Sequence, residues 1–261
     1  MPKAFWKGVI SFGLVAIPVK MYIGTESKSL SFHLLHKKCL TRPKQVLHCE
    51  TDNEYFGIKD TVRGYEVAKG QYIVLSEADF ENVPIKTSHA IDILGFIEAK
   101  ELDPIYYAGV HYLEPEELGA RPFQLLREAL EKTGRIGIGK VTFQRREHLC
   151  CLRPLDDIIV LHSLHYDTEI LSRKEIAPPK SKLTAAELDM AVNLVKAMAQ
   201  TFKPEAYKDE YRSALKKVVE AKMKGEKIIV PEAPKVEMGD LMESLRASIK
   251  AARKEPVAVA R

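Results

Sequence analysis

Between Val9 and Ile23 the chain is apolar almost without a break, VISFGLVAIPVKMYI, and rich in Val, Ile, Phe and Tyr. Odd positions carry Val9, Val15, Ile17 and Val19, and even positions Ile10, Phe12 and Leu14. A strand here would be apolar on both faces and buried on two sides. Gly13 marks a bend or a close backbone approach. Pro18 cannot donate to a ladder, so it marks an edge or a bulge. Such a segment suits a barrel better than a flat sheet.

At 261 residues, 46% of them hydrophobic, the chain has room for one large domain, or one domain with an appendage, around a sizeable core. No window of about eighteen apolar residues exists, which excludes a spanning helix and any membrane partner that would need one. The start, MPKAFWKG, lacks the apolar core and cleavage site of a secretory leader, so a cytoplasmic protein is expected. Two of the four cysteines, Cys150 and Cys151, are adjacent and unsuited to a structural disulfide, which favours a reducing compartment.

Charge is more informative in its distribution than in its sum. Met1 to Pro178 holds 23 Lys+Arg against 24 Asp+Glu, net −1, whereas Pro179 to Arg261 holds 17 against 12, net +5. Within the balanced part, Lys28 to Arg63 carries seven bases and four acids, and Arg135 to Arg153 five bases and one acid. Clustered positive charge on a neutral body is the footprint of a phosphate-binding surface, although solvated strand faces give the same pattern.

Along the chain, Ser27 to Gly70 has weak periodicity and many polar residues, which predicts a long exposed arm with short strands. VRGYEVAKGQY reads as a hairpin turning at Lys69-Gly70. Tyr72 to Leu75 is a strand and Ser76 caps a short helix through Phe80. Ile91 to Ala99 alternates, with Ile91, Ile93 and Ile97 on one face, and Tyr106, Tyr107, Tyr112 and Leu113 suggest another strand. Arg121 to Lys132 is an amphipathic helix burying Phe123, Leu126 and Leu130, closed by Gly134. Strands follow at Arg135 to Gln144, His148 to Arg153 and Asp157 to Tyr166. About seven strands around one helix predict a closed or nearly closed barrel.

Ala177-Pro178-Pro179-Lys180 reads as a linker. Beyond it, Thr184 and Glu187 form a capping box ahead of a stripe at Leu188, Val192, Val195, Ala199 and Phe202, ended by Pro204. A second helix spans about Asp209 to Lys224, with Tyr211, Leu215, Val218 and Val219 inward and Gly225 as its stop. The division expected is therefore 1–178 as a β-rich α+β core with an arm at about 27–70, 179–227 as a helical region, and 228–261 as a basic flexible tail. Within that tail Asp240 to Arg253 could become helical when bound.

Several constellations invite chemistry. Gly134, Gly139 and Lys140 have phosphate-loop spacing, but Val141 stands where a Ser or Thr should hold magnesium, and the run joins a helix to a strand. His33, His36, Cys39, His48 and Cys49 suggest half of a zinc knuckle, with an adjacent His-Cys in place of the second half. His148, Cys150, Cys151, His162, Ser163 and His165 could supply parts of a nucleophilic site, but they fall on predicted strands with no elbow. The basic residues remain, and their irregular spacing, without an aromatic platform or a groove-entering helix, suits backbone contact rather than base reading.

The opening Trp6, Gly8, ISFGLV (Ile10 to Val15), Pro18, Val19, Lys20, Tyr22, Thr25 and Glu26 resembles that of bacterial Ku, the DNA-end-binding protein of non-homologous end joining. So do FHLLHKK (Phe32 to Lys38), VRGYE (Val62 to Glu66), YIVL (Tyr72 to Leu75), ELDPIYY (Glu101 to Tyr107), LLREALEKTGRIGIGKV (Leu125 to Val141), REHLCCLRP (Arg146 to Pro154) and YKDEYRSAL (Tyr207 to Leu215), in the family's order. The resemblance implies a Ku-type barrel and a ring-shaped homodimer threaded by a double-stranded DNA end. It implies no enzyme, no cofactor and a nucleoid-associated cytoplasmic location. Lys37, Lys38, Arg42, Lys44, Lys59 and Arg63 would line the arm side of the ring, and Lys140, Arg145 and Arg146 the barrel side. Thr184 to Lys224 would help dock the multidomain ATP-dependent DNA ligase of bacterial end joining, with Lys235 to Arg261 adding loose contact. Asp52 replaces the last Cys of the zinc pattern that some members carry, and the tail is short beside their lysine-rich extension. The rival readings are a zinc-dependent RNA- or single-strand-binding barrel using the His36 to Cys49 cluster, and a hydrolase using Cys150 or Cys151.

Overall fold

The computed structural model describes residues 3–83, 89–144, 146–176, 178–179, 181–225 and 240–254. It divides into two compact units, one holding 1–28 with 32–173 and the other 29–31 with 174–261.

The apolar opening is a hairpin rather than one strand: β1 (Trp6–Phe12) turns at Gly13 and Leu14 into β2 (Val15–Ile23), pairing Phe12 with Val15 and Trp6 with Met21. Gly13 sits at φ +59°, which a two-residue hairpin turn requires and which glycine adopts without strain. The second apolar parity thereby folds back beside the first. Ile10, Ile17, Val19 and Met21 share the buried face, while Ser11, Ala16, Pro18 and Lys20 form the other. Pro18 is neither at a bulge nor against a donor-hungry neighbour. Its partner Val9 turns its N–H to His89 O, so the Val9 and Pro18 pair exchanges no hydrogen bond. The Pro18 carbonyl, on the far side, accepts from Glu116 N at 2.9 Å.

From β2 the chain makes an excursion through β3 (Leu47–Cys49), β4 (Glu54–Phe56), β5 (Arg63–Ala68), β6 (Gln71–Leu75) and the short α1 (Glu77–Glu81). It re-enters the barrel as β7 (Ala90–Glu98), then β8 (Tyr107–Pro115), α2 (Ala120–Thr133), β9 (Arg135–Phe143), β10 (Arg146–Leu155) and β11 (Ile158–Leu164). Seven strands close a barrel in the order β1, β2, β8, β11, β10, β9, β7. The closing contact is the short parallel pairing of Val9, Ile10 and Ser11 with Ala90, Ile91 and Asp92; the other pairs are antiparallel. The expected count was met by different members: the opening supplies two strands, and Tyr72 to Leu75 pairs outside the barrel as half of β5–β6.

Cross-strand partners place Ile10, Ile17, Val19, Met21, Leu113, Ile159, Leu161, Leu152, Val141 and Ile91 in one buried interior. A register shift between Ile93 and Gly95 turns the strand over, so Ile97 pairs with Ile136 in a second cluster instead of joining Ile91 and Ile93. Sequence alternation alone cannot show such a bulge.

The registers also give the barrel two distinct ends. β2 runs antiparallel to β1 and β7 parallel to it, so the excursion leaves at Ile23 and returns at Ala90 on the end where β1 begins. β8 stops at Pro115 opposite Val19 and β9 starts at Arg135 opposite Glu98, both toward the other end. There α2 contacts β2, β9 and β10, which lie across the ring from one another, and its Phe123, Leu126 and Leu130 enter the interior cluster. Gly134 at φ +63° terminates it as expected.

Two close approaches explain glycines in the opening and in β9. A Cβ on Gly8 would lie 2.3 Å from the Trp6 ring and from His89 O; the Trp6 indole N–H meanwhile donates to Thr142 O at 3.1 Å. A Cβ on Gly139 would lie 2.5 Å from Asp92 O, which supports close packing and not a phosphate loop.

In the second unit, α3 (Ala185–Ala197) packs against α5 (Leu241–Lys254), with α4 (Glu210–Lys224) between them in sequence. The Thr184 and Glu187 capping box is present. The face of α3 turned inward is Glu187, Met190, Ala191 and Leu194, whereas Leu188, Val192 and Val195 are exposed, as is Phe202. On α4, Leu215 and Val218 are half-buried, but Tyr211 and Val219 are exposed. Asp240 caps α5, so its helix forms within the chain itself. Pro231, Pro234 and Pro256 lie outside the described residues. No helix among the described residues is long and apolar enough to cross a membrane.

Gly139→Ala should lower stability by about 1–3 kcal/mol, because the clash is with backbone. Gly95→Ala, with nothing within 4 Å of its Cβ, should change it by less than about 1 kcal/mol. Urea unfolding midpoints of the two variants check the contrast.

Candidate nucleic-acid interface

The excursion is built from two small ribbons, β3–β4 and β5–β6, that form no part of the barrel sheet. The second turns at Gly70 with φ +78°, where the sequence placed it. Nearly all of the excursion faces solvent. Phe32, Leu34, Leu40, Tyr55, Ile58 and Val62 are each more than half exposed, and so are Tyr65, Val67, Tyr72, Ile73 and Val74 along the β5–β6 hairpin.

The six predicted arm bases are all exposed but not equivalent. Among the described residues, Lys37, Lys38, Lys44 and Lys59 have no ion-pair partner, Lys59 riding on a short helical turn at Ile58–Asp60. Arg42 donates to His33 Nδ1 and flanks an open cavity of about 470 Å³ with Phe32, Leu34 and Lys44. Arg63 is tied down more firmly, 3.5 Å from Glu77 and 5.1 Å above the Phe80 ring. It fastens the hairpin to α1.

On the barrel, Lys140 lies on the outer face of β9 and Arg146 opens β10 opposite Phe143, both toward the end from which the arm emerges, and both are already paired. Lys140 Nζ meets Glu147 at 2.9 Å, and Arg146 meets Glu169. The hydrogen bond and charge of Glu147 raise the Lys140 pKa above its ordinary value. Backbone donation from Tyr166 and the Arg146 guanidinium hold Glu169 below the usual carboxylate range. Arg145 lies outside the described residues. Arg153, in the same basic window, instead donates from Nε to His162 Nε2 at 2.8 Å. Sequence reasoning passed over Glu147 and Glu169, although Glu147 is the one acid in the Arg135 to Arg153 window.

The residues proposed for zinc do not converge. His36 Nδ1 lies 3.1 Å from Cys39 Sγ, and Cys49 Sγ donates to Asp52 at 3.3 Å, while His48 bonds Asn53. Among the described residues no group of three His, Cys, Asp or Glu could hold a metal. With Asp52 engaged by Cys49 in place of a thiolate, this donor set does not fit a zinc knuckle. Hydrogen bonds from Thr41 and His36 draw the exposed Cys39 thiol down to about 7. Cys150 and Cys151 are fully buried, and burial pushes both thiols up, Cys151 to about 11, so neither supplies a thiolate nucleophile.

The scan against known families matches residues 11–190 to the Ku70/Ku80 beta-barrel domain. The chain belongs to the Ku family. Among its relatives, a non-homologous end joining protein Ku of Archaeoglobus fulgidus is 40% identical over 253 residues, covering 96% of this chain and 100% of that one. One of Solibacter usitatus is 38% identical over 260 residues, covering 98% and 97%. A third, of Symbiobacterium thermophilum, is 39% identical over 263 residues, covering 98% of this chain but 65% of that longer protein. The Ku barrel accounts for the Trp6 and Gly8 pair, for Gly139 and for the hairpin at Gly13 as packing demands of one closed sheet.

Three barrel histidines give this Ku-family chain an acid limit. Burial, then the Arg153 charge, lowers His162 to about 4; burial and the neighbouring His148 lower His111; burial and Arg146 lower His148, which stacks on Phe143. The folded chain therefore binds fewer protons than the unfolded one between about pH 6.5 and 4, and stability falls as pH drops through that window. The thermal midpoint should be lower at pH 5 than at pH 7.5. His162→Gln should flatten that dependence even where it lowers the midpoint at pH 7.5.

Proposed function

We propose that two copies of this chain close through their arms around the end of a double-stranded DNA molecule and grip it by its phosphates without reading bases. The observation that carries this reading is the excursion itself. Both of its ends leave one mouth of the barrel, it bears Lys37, Lys38, Lys44 and Lys59 with no acidic partner among the described residues, and it exposes more apolar surface than a solitary arm would keep. An isolated two-stranded hairpin is marginal in water, so β5–β6 calls for a second surface to cover it. A second copy is the partner that a symmetric ring supplies. The relatives' shared name, non-homologous end joining protein Ku, supports break repair as the setting.

The chain acts in this reading as a scaffold and not as an enzyme. Lysine ammonium groups at irregular spacing contact any duplex alike, so specificity for ends comes from threading. Affinity for linear duplex should fall with salt at a log–log slope of about −0.9 per phosphate neutralised. Neutralising Lys37, Lys38, Lys44 and Lys59 to Gln should weaken binding to unrelated sequences equally and make that slope shallower. Equal capture of covalently closed circles and linear duplex, measured in competition, would contradict threading.

The helical unit is the proposed docking site for the multidomain ATP-dependent DNA ligase. Leu188, Val192, Val195 and Phe202 leave an apolar stripe open on the side of α3 that α5 does not cover. Leu188→Asp with Val192→Asp should abolish stimulation of ligation while leaving affinity for DNA ends unchanged. Ligation assays beside binding titrations separate the two effects.

A further inference from the structure

The bases assigned to the two sides of the ring differ in one respect that charge counting misses. Among the described residues the four arm lysines have no ion-pair partner, whereas the described barrel-side bases are each matched by a carboxylate. Lys140 on β9 is held by Glu147 on β10 at 2.9 Å, and Asp92 on β7 faces it directly in the ladder. Arg146 is held by Glu169, which also accepts from Tyr166 N at 2.8 Å and lies 3.8 Å from His165. The Tyr166 hydroxyl reaches back to Glu147 O, joining both pairs into one patch at the end of the barrel where the arm departs.

A phosphate arriving at this patch must displace a carboxylate that is already ionised. The exchange replaces one charge-assisted contact by another of the same kind, so its net gain is small. We propose that Glu147 and Glu169 set the strength of the barrel-side grip, keeping Lys140 and Arg146 from holding DNA tightly. This rests on the reading that a duplex passes over this end of the barrel. Firm contact then comes from the arm and loose contact from the barrel, which lets a threaded ring move along the helix.

The test is to remove each competitor while keeping its shape, with Glu147→Gln and Glu169→Gln measured on a linear duplex across a salt series. Each should tighten binding roughly two- to five-fold and steepen the log–log slope by up to about 0.9, one phosphate for each base released. Glu128→Gln, which makes the same change in net charge on α2 at the opposite end of the barrel, should leave the slope unchanged. Adding Lys140→Gln to Glu147→Gln should return the slope to its starting value. Unchanged or weaker binding by Glu147→Gln in a protein with an unaltered melting profile would overturn the proposal, as would an equal gain from Glu128→Gln. If Glu169→Gln loosens the turn at Tyr166, Glu147→Gln, on a strand, decides the matter. Should the arm-lysine variant weaken binding while Glu147→Gln does nothing, only this inference falls; should neither alter binding, the ring reading falls with it.

Discussion

Three residue pairs hold this architecture closed. Val9, Ile10 and Ser11 lie parallel to Ala90, Ile91 and Asp92, and without them the sheet would be an open six-step ribbon with β1 and β7 as bare edges. Parallel pairing cannot be made by a tight turn; here β2 carries the chain back to the end where β1 begins, so β7 can start there beside β1. β1 has β2 on one side and β7 on the other, and everything from Gly24 to His89 connects these two neighbours across one mouth of the barrel. Strands spaced about 4.8 Å apart put the two roots of the arm roughly 10 Å from each other. An arm so rooted is carried by a rigid frame even though its own ribbons bury little.

The interior that stabilises this frame is formed by alternate residues, and much of that was legible. The helix at Arg121 to Lys132 with Phe123, Leu126 and Leu130 inward, the hairpin at Lys69-Gly70, the caps at Ser76 and Thr184 and the late strands follow from local chemistry, because capping, turn glycines and 3.6-residue spacing act within a few residues. What failed depended on partners distant in sequence. Period-two reasoning cannot distinguish one strand buried twice from two strands folded face to face, so VISFGLVAIPVKMYI was read as one. The bulge between Ile93 and Gly95 moved Ile97 to another cluster for the same reason. On α3 the sequence is apolar nearly all round, and which side becomes covered is decided by α5, not by α3.

The candidate interface was legible as composition and not as geometry. Counting bases found the two positive windows, but a count treats Lys37 and Lys140 alike. The structure separates them: among the described residues Lys37 has no carboxylate, Lys140 has one at 2.9 Å, and Arg63 is committed to Glu77 and Phe80. Ion pairing across a ladder follows register, and register is what a single sequence leaves open. The histidine and cysteine cluster went the other way, since spacing suggested convergence, whereas His36 and Cys39 bond within the loop ahead of β3, and His48 and Cys49 on β3 bond Asn53 and Asp52.

A protein threaded by a duplex end, as proposed for this chain, faces two opposed demands, to be held on and to travel. Bases alone meet the first and defeat the second, since every ammonium that releases counterions adds to the work of moving off its phosphates. Pre-pairing part of the positive surface with ionised acids relieves this. The attraction that remains at the barrel is a difference between two similar contacts, while the long-range field that steers DNA inward keeps the uncompensated contribution of the arm. The Lys140–Glu147 and Arg146–Glu169 pairs are then as much a part of the proposed grip as the free lysines, because they limit it on the one surface that the barrel fold makes rigid.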